Sequence, residues 1–163
     1  MPAPPRADID TLVTTLLEAG VEFIVVGGAA AVLHGAPITT QDLDIVPRRT
    51  EDNVARLLAT LVQMDAVIRE PANRGLRPTA PLLSGGGQLL LLTRLGPMDV
   101  LGTLHDKRGY DELLPNSEPM GEGARSIRVL DLDTLIEVKT AAARPKDKLV
   151  LPILLALRER KGR

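Results

Sequence analysis

The chain has no cysteine and no tryptophan, and Phe23 and Tyr110 are its only aromatic residues. The first absence removes disulfides, thiolate metal sites and thiol catalysis, and it fits a reducing compartment. The scarcity of aromatics argues against base stacking, the usual grip on single-stranded nucleic acid, and leaves Leu, Val, Ile and Ala to build the core. Neither sign of charge dominates: 20 Lys and Arg face 21 Asp and Glu, for a net charge of -1. The overall balance therefore makes no electrostatic case for nucleic acid, although a local basic face is not excluded. No apolar run is long enough to span a bilayer, and the Pro-rich start "MPAPPRAD" lacks the apolar centre of a signal peptide. The expectation is a cytoplasmic protein without a membrane partner. With 163 residues, 44% apolar and 25% charged, the chain reads as one domain. Residues 1–7 read as a disordered tail, and 8–163 as a single domain closed by helices over about 131–160.

Periodicity then orders the elements. Ile9, Leu12, Val13, Leu16 and Leu17 form one helical stripe, with Asp8 to cap it and Gly20 to stop it. "VEFIVV" (21–26) reads as a buried strand, Gly27-Gly28 as a turn, "AAAVLH" as a short helix and "DLDIV" (42–46) as a second strand that Pro47 ends. Thr50 caps a helix striped by Val54, Leu57, Leu58 and Leu61, and a short strand follows near 66–69. Residues 70–87 carry three prolines and four glycines and read as a long loop, a place where function tends to sit. "QLLLLTR" (88–94) and "MDVLG" (98–102) read as a hairpin turning at Gly96-Pro97. A short helix over 106–114, a strand at 126–130 and two helices, 131–143 and 146–160, complete the chain, with Pro152 inside the last. The fold class is α/β (α+β): a mixed sheet with helices mainly on one face and a helical C-terminus.

Asp42 and Asp44 stand two apart on a strand, so both point to one face while Leu43 and Ile45 point to the core. Two adjacent carboxylates repel, and when buried they require a proton or a cation. An incidental acidic strand edge accounts for such a pair taken alone. Asp99 adds to the pair, because a lone carboxylate in the apolar strand "GPMDVLG" also needs a partner: an Arg or water on one reading, or a cation shared with Asp42 and Asp44 on the other. Three hard oxygen donors on one sheet face suit Mg²⁺. Gly27-Gly28 after a strand exposes backbone N–H groups that can seat a phosphate, although tight packing explains such a pair equally well. Lys139 lies on the apolar stripe of Leu132, Leu135, Ile136, Ala142 and Ala143, so it either snorkels or reaches into a cleft. Arg144, Lys146 and Asp147 form either a polar connector or part of the same cleft, with Lys146 the better candidate. Arg48 and Arg49 read as a solvated pair, His34 and His105 as structural, and Asp131 and Asp133 as helix caps.

"GGAAAVLHG" followed by "TTQDLDIV" resembles the nucleotidyltransferase superfamily built on the DNA polymerase β palm. Its signature joins a hydrophobic residue with Gly-Gly or Gly-Ser to a later Asp-x-Asp and a third Asp on a further strand. Gly27, Gly28, Asp42, Asp44 and Asp99 match, with Gly28 where many members have Ser. His34-Gly35, Thr40 and the late "DLDTLIEVKTAAARPKDKLVL" resemble the AbiEii-like toxin branch of toxin–antitoxin systems.

The resemblance implies a polymerase β-like fold and NMP transfer from an NTP to an acceptor hydroxyl with release of pyrophosphate. Asp42, Asp44 and Asp99 would be catalytic and would bind two Mg²⁺ ions. Gly27, Gly28, Lys139 and Lys146 would bind the triphosphate. A tRNA 3′ end is one acceptor it implies, a protein or small-molecule hydroxyl another, and a cognate antitoxin is an implied partner. Two alternatives stand beside this. One is a noncatalytic nucleotide-binding or antitoxin-like module of the same fold. The other, a dinucleotide-binding domain, is disfavoured because "GGAAAV" is not G-x-G-x-x-G.

Overall fold

The computed structural model describes residues 5–69 and 75–162. Its centre is a β-branched run, Phe23–Val26 (β1), in which every residue is buried, so both faces of this strand are covered. Ahead of it lies α1 (Ile9–Glu18), whose Leu12, Val13 and Leu16 face the core and whose N-terminus is capped by Asp8. Gly27–Leu33 (α2) follows β1 directly, and its Ala29, Ala30 and Ala31 are fully buried. β2 (Leu43–Pro47) pairs antiparallel with β1, and α3 (Glu51–Gln63) starts at the Thr50 cap.

The remaining elements are β3 (Val67–Ile68), α4 (Ala80–Ser84), β4 (Gln88–Thr93), β5 (Gly96–Leu101), α5 (Tyr110–Leu113), β6 (Ser117–Met120), β7 (Ile127–Leu130), α6 (Leu132–Ala142) and α7 (Pro145–Lys161). The strands form one mixed sheet in the order β3-β4-β5-β2-β1-β7-β6. β2 runs parallel to β5 and β1 parallel to β7, while the other neighbouring pairs are antiparallel.

Several elements differ from their sequence reading. Pro47 belongs to β2, opposite Phe23, instead of ending it before that point. The hairpin turns at Arg94–Leu95, and Gly96-Pro97 already belong to β5. Gly96 takes φ +107, which a side chain would resist, and a Cβ there would press on the backbone of Arg6 and Ala7. Pro97 is tolerated because the β2 ladder begins one residue later, at Met98. The loop over 70–87 contains α4, capped by Thr79 with Pro81 in its first turn. β6 has no apolar run to announce it and forms an edge strand on β7. Of the expected tail, residues 1–4 lie outside the described residues. Ala7 and Asp8 donate backbone hydrogen bonds to Gln41 O and Leu95 O, so the chain is seated before α1 begins. Among the described residues, no helix is long and apolar enough to cross a membrane.

Candidate active site

The β2–β5 ladder places Asp44 opposite Asp99, and Asp42 lies just before β2. One oxygen from each of these carboxylates lies within 4.8 Å of the other two. Apolar neighbours hold the strands in that register: Leu43 and Ile45 on β2, and Met98 and Val100 on β5, are buried on the opposite face. Asp99 is only 7% exposed. Asp44 Oδ1 is buried and has no hydrogen-bond partner.

Burial raises the Asp44 pKa from 3.8 to about 7, and the charges of Asp99 and Asp42 add to the rise. Lys146, exposed near the start of α7, pulls the other way. Asp99 is also raised by burial, against the opposing pull of Arg69. An acidic cluster with an unpartnered buried oxygen, made only of hard oxygen donors, fits a divalent cation of the Mg²⁺ kind.

Gly27 forms the floor beside this cluster. It takes φ +63, and a Cβ built on it would fall 2.3 Å from Asp44 Oδ2. A Cβ on Gly28 would fall 2.9 Å from Thr40 Oγ1. The Thr40 hydroxyl donates to Asp42 O at 3.2 Å, so both glycines leave room for groups that shape the acidic loop.

A cleft of about 610 Å³ opens over the cluster, lined by Gly27, Asp42, Asp44, Asp99, Lys139 and Lys146 among others. The seven residues singled out in the sequence thus fall into two groups. All but Gly28 line the cleft, and Gly28 packs under its edge against Thr40. Lys139 does not project freely: its Nζ lies 3.4 Å from Asp147 Oδ1. Asp147 is fully buried and accepts from Arg144 N and Nε at 3.1 and 2.7 Å. Burial alone would raise the Asp147 pKa, but the bonds from Arg144 and the charge of Lys139 hold it below its ordinary value. The apolar stripe that carries Lys139 also ends early, with Ala142 half-buried and Ala143 exposed in a left-handed cap.

The most consequential residue that the sequence did not reveal is Arg69, whose Nη2 lies 2.7 Å from Asp99 Oδ1 and 3.9 Å from Asp42 Oδ2. The reading of Asp99 as the partner of an Arg pointed toward such a contact without saying which arginine makes it. Gly86 and Gly87, from the loop read as a place of function, line the cleft, and so does Lys107, which no sequence pattern singles out. The bland readings of several other residues hold. His34 is buried with Nε2 2.7 Å from Leu130 O, and Asp131 caps α6. Arg48, read as solvated, instead is half-buried, pairs with Glu22 and lies over Tyr110. His105, expected to be structural, is exposed on the cleft wall.

No protein-family model matches the sequence, and no curated protein sequence does. Solved structures do match the fold. The lincosamide antibiotic adenylyltransferase LnuA, in its lincomycin-bound form, superposes with TM-score 0.62 at 10% identity, covering 94% of this chain and 99% of that one. The antibiotic-resistance factor ANT(2'')-Ia gives 0.56 at 15% identity, over 94% and 91% of the two chains. A Thermotoga maritima protein described as a nucleotidyltransferase gives 0.53 at 15% identity, over 93% and 96%. The chain therefore has the nucleotidyltransferase fold. At these identities the likeness is one of fold.

Proposed function

We propose that this protein is a divalent-metal-dependent nucleotidyltransferase that transfers an NMP from an NTP to an acceptor hydroxyl. The observation that carries the reading is the convergence of Asp42, Asp44 and Asp99 beside Gly27, in a cleft whose other wall presents Lys139 and Lys146. Asp42, Asp44 and Asp99 would hold the metal, which when bound neutralises the clustered carboxylates and polarises phosphate oxygens.

The chain's own groups do the rest. Gly27 and Gly28 let the backbone approach the triphosphate, because neither position presents a side chain. Lys139 and Lys146 offset the charge that builds on the departing pyrophosphate. Lys139 is held in place for this by Asp147. The acceptor oxygen attacks the α-phosphorus, the bond to the bridging oxygen breaks, and Asp99 takes the hydroxyl proton.

A small-molecule hydroxyl is the favoured acceptor. Leu101, Leu104, Leu135 and Val138 give the cleft an apolar wall suited to a compact organic ligand, and LnuA is an antibiotic adenylyltransferase. The tRNA end, the toxin role and the antitoxin partner rest on the AbiEii-like motifs around His34 and Thr40 and on the late stretch 131–151. His34 and Thr40 have packing duties that account for them.

The test is incubation of the purified protein with Mg²⁺, each α-labelled NTP and, separately, small-molecule hydroxyls such as those of a lincosamide, and deacylated tRNA. Label should move to an acceptor of the first kind and be lost in Asp42→Asn with its circular dichroism unchanged. Transfer only to tRNA would favour the toxin-type reading. Unchanged labelling in Asp42→Asn would reject the catalytic assignment altogether.

A further inference from the structure

Arg69 stands apart from the other cations near the cleft because it already engages the acidic cluster. Its Nη2 lies 2.7 Å from Asp99 Oδ1 and 3.9 Å from Asp42 Oδ2. It is also fixed in place. Its backbone N–H donates to Leu90 O at 2.8 Å and its Nη1 to Leu91 O at 2.5 Å. Arg69 follows β3, Leu90 and Leu91 lie on β4, and Asp99 lies on β5, so one side chain spans the edge of the sheet to reach the cluster. One arm of the guanidinium is committed to the main chain, which aims the other at the carboxylates.

The compensation it gives is uneven: Asp99 and Asp42 share its charge, while buried Asp44 Oδ1 has no partner. A guanidinium placed on the same carboxylates as an incoming cation supports the folded cluster but opposes that cation by like charge.

We propose that Arg69 is the resident counter-ion of the Asp42–Asp44–Asp99 cluster and holds its affinity for free divalent metal low. The inference rests on the metal-binding reading above. Arg69 acts through the carboxylates and is a positioning residue; it does not touch the reacting atoms. Metal accompanied by a nucleotide triphosphate brings its own negative charge and is opposed less, so the cluster is biased toward metal delivered with substrate.

Mn²⁺ binding to the nucleotide-free protein, read by the electron paramagnetic resonance of free Mn²⁺, tests this. Arg69→Gln should bind Mn²⁺ at least about tenfold more tightly than the unmodified chain. Arg69→Lys keeps a charge and should stay within about threefold. Equal or weaker binding in Arg69→Gln overturns the proposal, because a side chain that merely orients a ligand weakens the metal when removed. A Lys variant that binds as tightly as the Gln variant overturns it too. If Arg69→Gln is unfolded without metal, Mn²⁺ must refold it; a variant that stays unfolded in Mn²⁺ counts against the proposal. Asp42→Asn separates this inference from its premise. If that variant binds Mn²⁺ as the unmodified chain does, the metal-binding reading fails. If it loses Mn²⁺ while Arg69→Gln shows no change, only the role of Arg69 fails.

Discussion

Asp44 Oδ2 occupies the space that a side chain at Gly27 would need: a Cβ built on Gly27 would lie 2.3 Å from it. The glycine and the carboxylate are thus one unit. Gly27→Ala should displace Asp44, strain a backbone at φ +63, cost about 1 kcal/mol or more in stability and abolish nucleotide transfer. Urea denaturation alongside the labelling assay checks this, and full activity in the Ala variant would contradict it.

Gly28 and Thr40 form a second such unit, with 2.9 Å between a Gly28 Cβ and Thr40 Oγ1. Gly28→Ser should therefore destabilise this chain by about 1 kcal/mol. Thr40→Gly in the same chain should recover part of that loss. A double-mutant cycle measured by denaturant unfolding reads the coupling, and strictly additive effects would contradict the contact.

The acidic cluster makes stability depend on pH in a defined direction. Asp44 is raised from 3.8 to about 7 by burial and then by Asp99 and Asp42. The folded state therefore holds a proton that the unfolded state has released between those values. The stabilising effect is complete below 3.8 and is lost as pH rises through about 7. The metal-free protein should melt lower at pH 8 than at pH 5.5. Saturating Mg²⁺ should shrink the difference, and Asp44→Asn should remove most of it. Asp106 and Asp147, whose pKa values are lowered, contribute only at more acidic pH and do not mask this window. A flat melting profile from pH 5.5 to 8 without metal would rule out the buried proton.

Asp147 anchors the cation side of the cleft from a fully buried position. Asp147→Asn should weaken the start of α7 and release Lys139 from its partner. About 2 kcal/mol of stability is at stake when one partner of a buried pair is neutralised. Transfer activity should also fall, chiefly through a raised KM for the NTP, since Lys139 would lose its fixed position. Calorimetry and NTP-dependence kinetics separate the two effects, and an unchanged KM would free Lys139 of a triphosphate role.

The most legible features were those carried by local pattern. β1, β2 and α1 follow from periodicity, and Asp42, Asp44 and Asp99 stood out because carboxylates interrupt apolar strands. What stayed hidden depends on distant partners. Arg69 meets Asp99 across 30 positions of sequence, and nothing near Arg69 signals that contact. Asp147 looks like any polar connector until Arg144 folds back on it. Gly96-Pro97 has the composition of a turn, but pairing of Thr93 with Gly96 moves the turn two residues earlier. β6, with Glu118 and Pro119 at its centre, is a strand only because β7 offers it an edge.

The pairing of Asp44 with Asp99 is written into a parallel ladder whose next rungs are Leu43–Met98 and Ile45–Val100. A one-residue insertion or deletion upstream in either strand would swap rungs, sending carboxylates into the hydrocarbon interior and leucine or methionine toward the substrate. Loops at the rims of the cleft carry no such register and can lose or gain a residue without turning a side chain over. These two strands tolerate substitution but not a shift in length, so the alternation along them is as much a part of the acidic site as the carboxylates themselves.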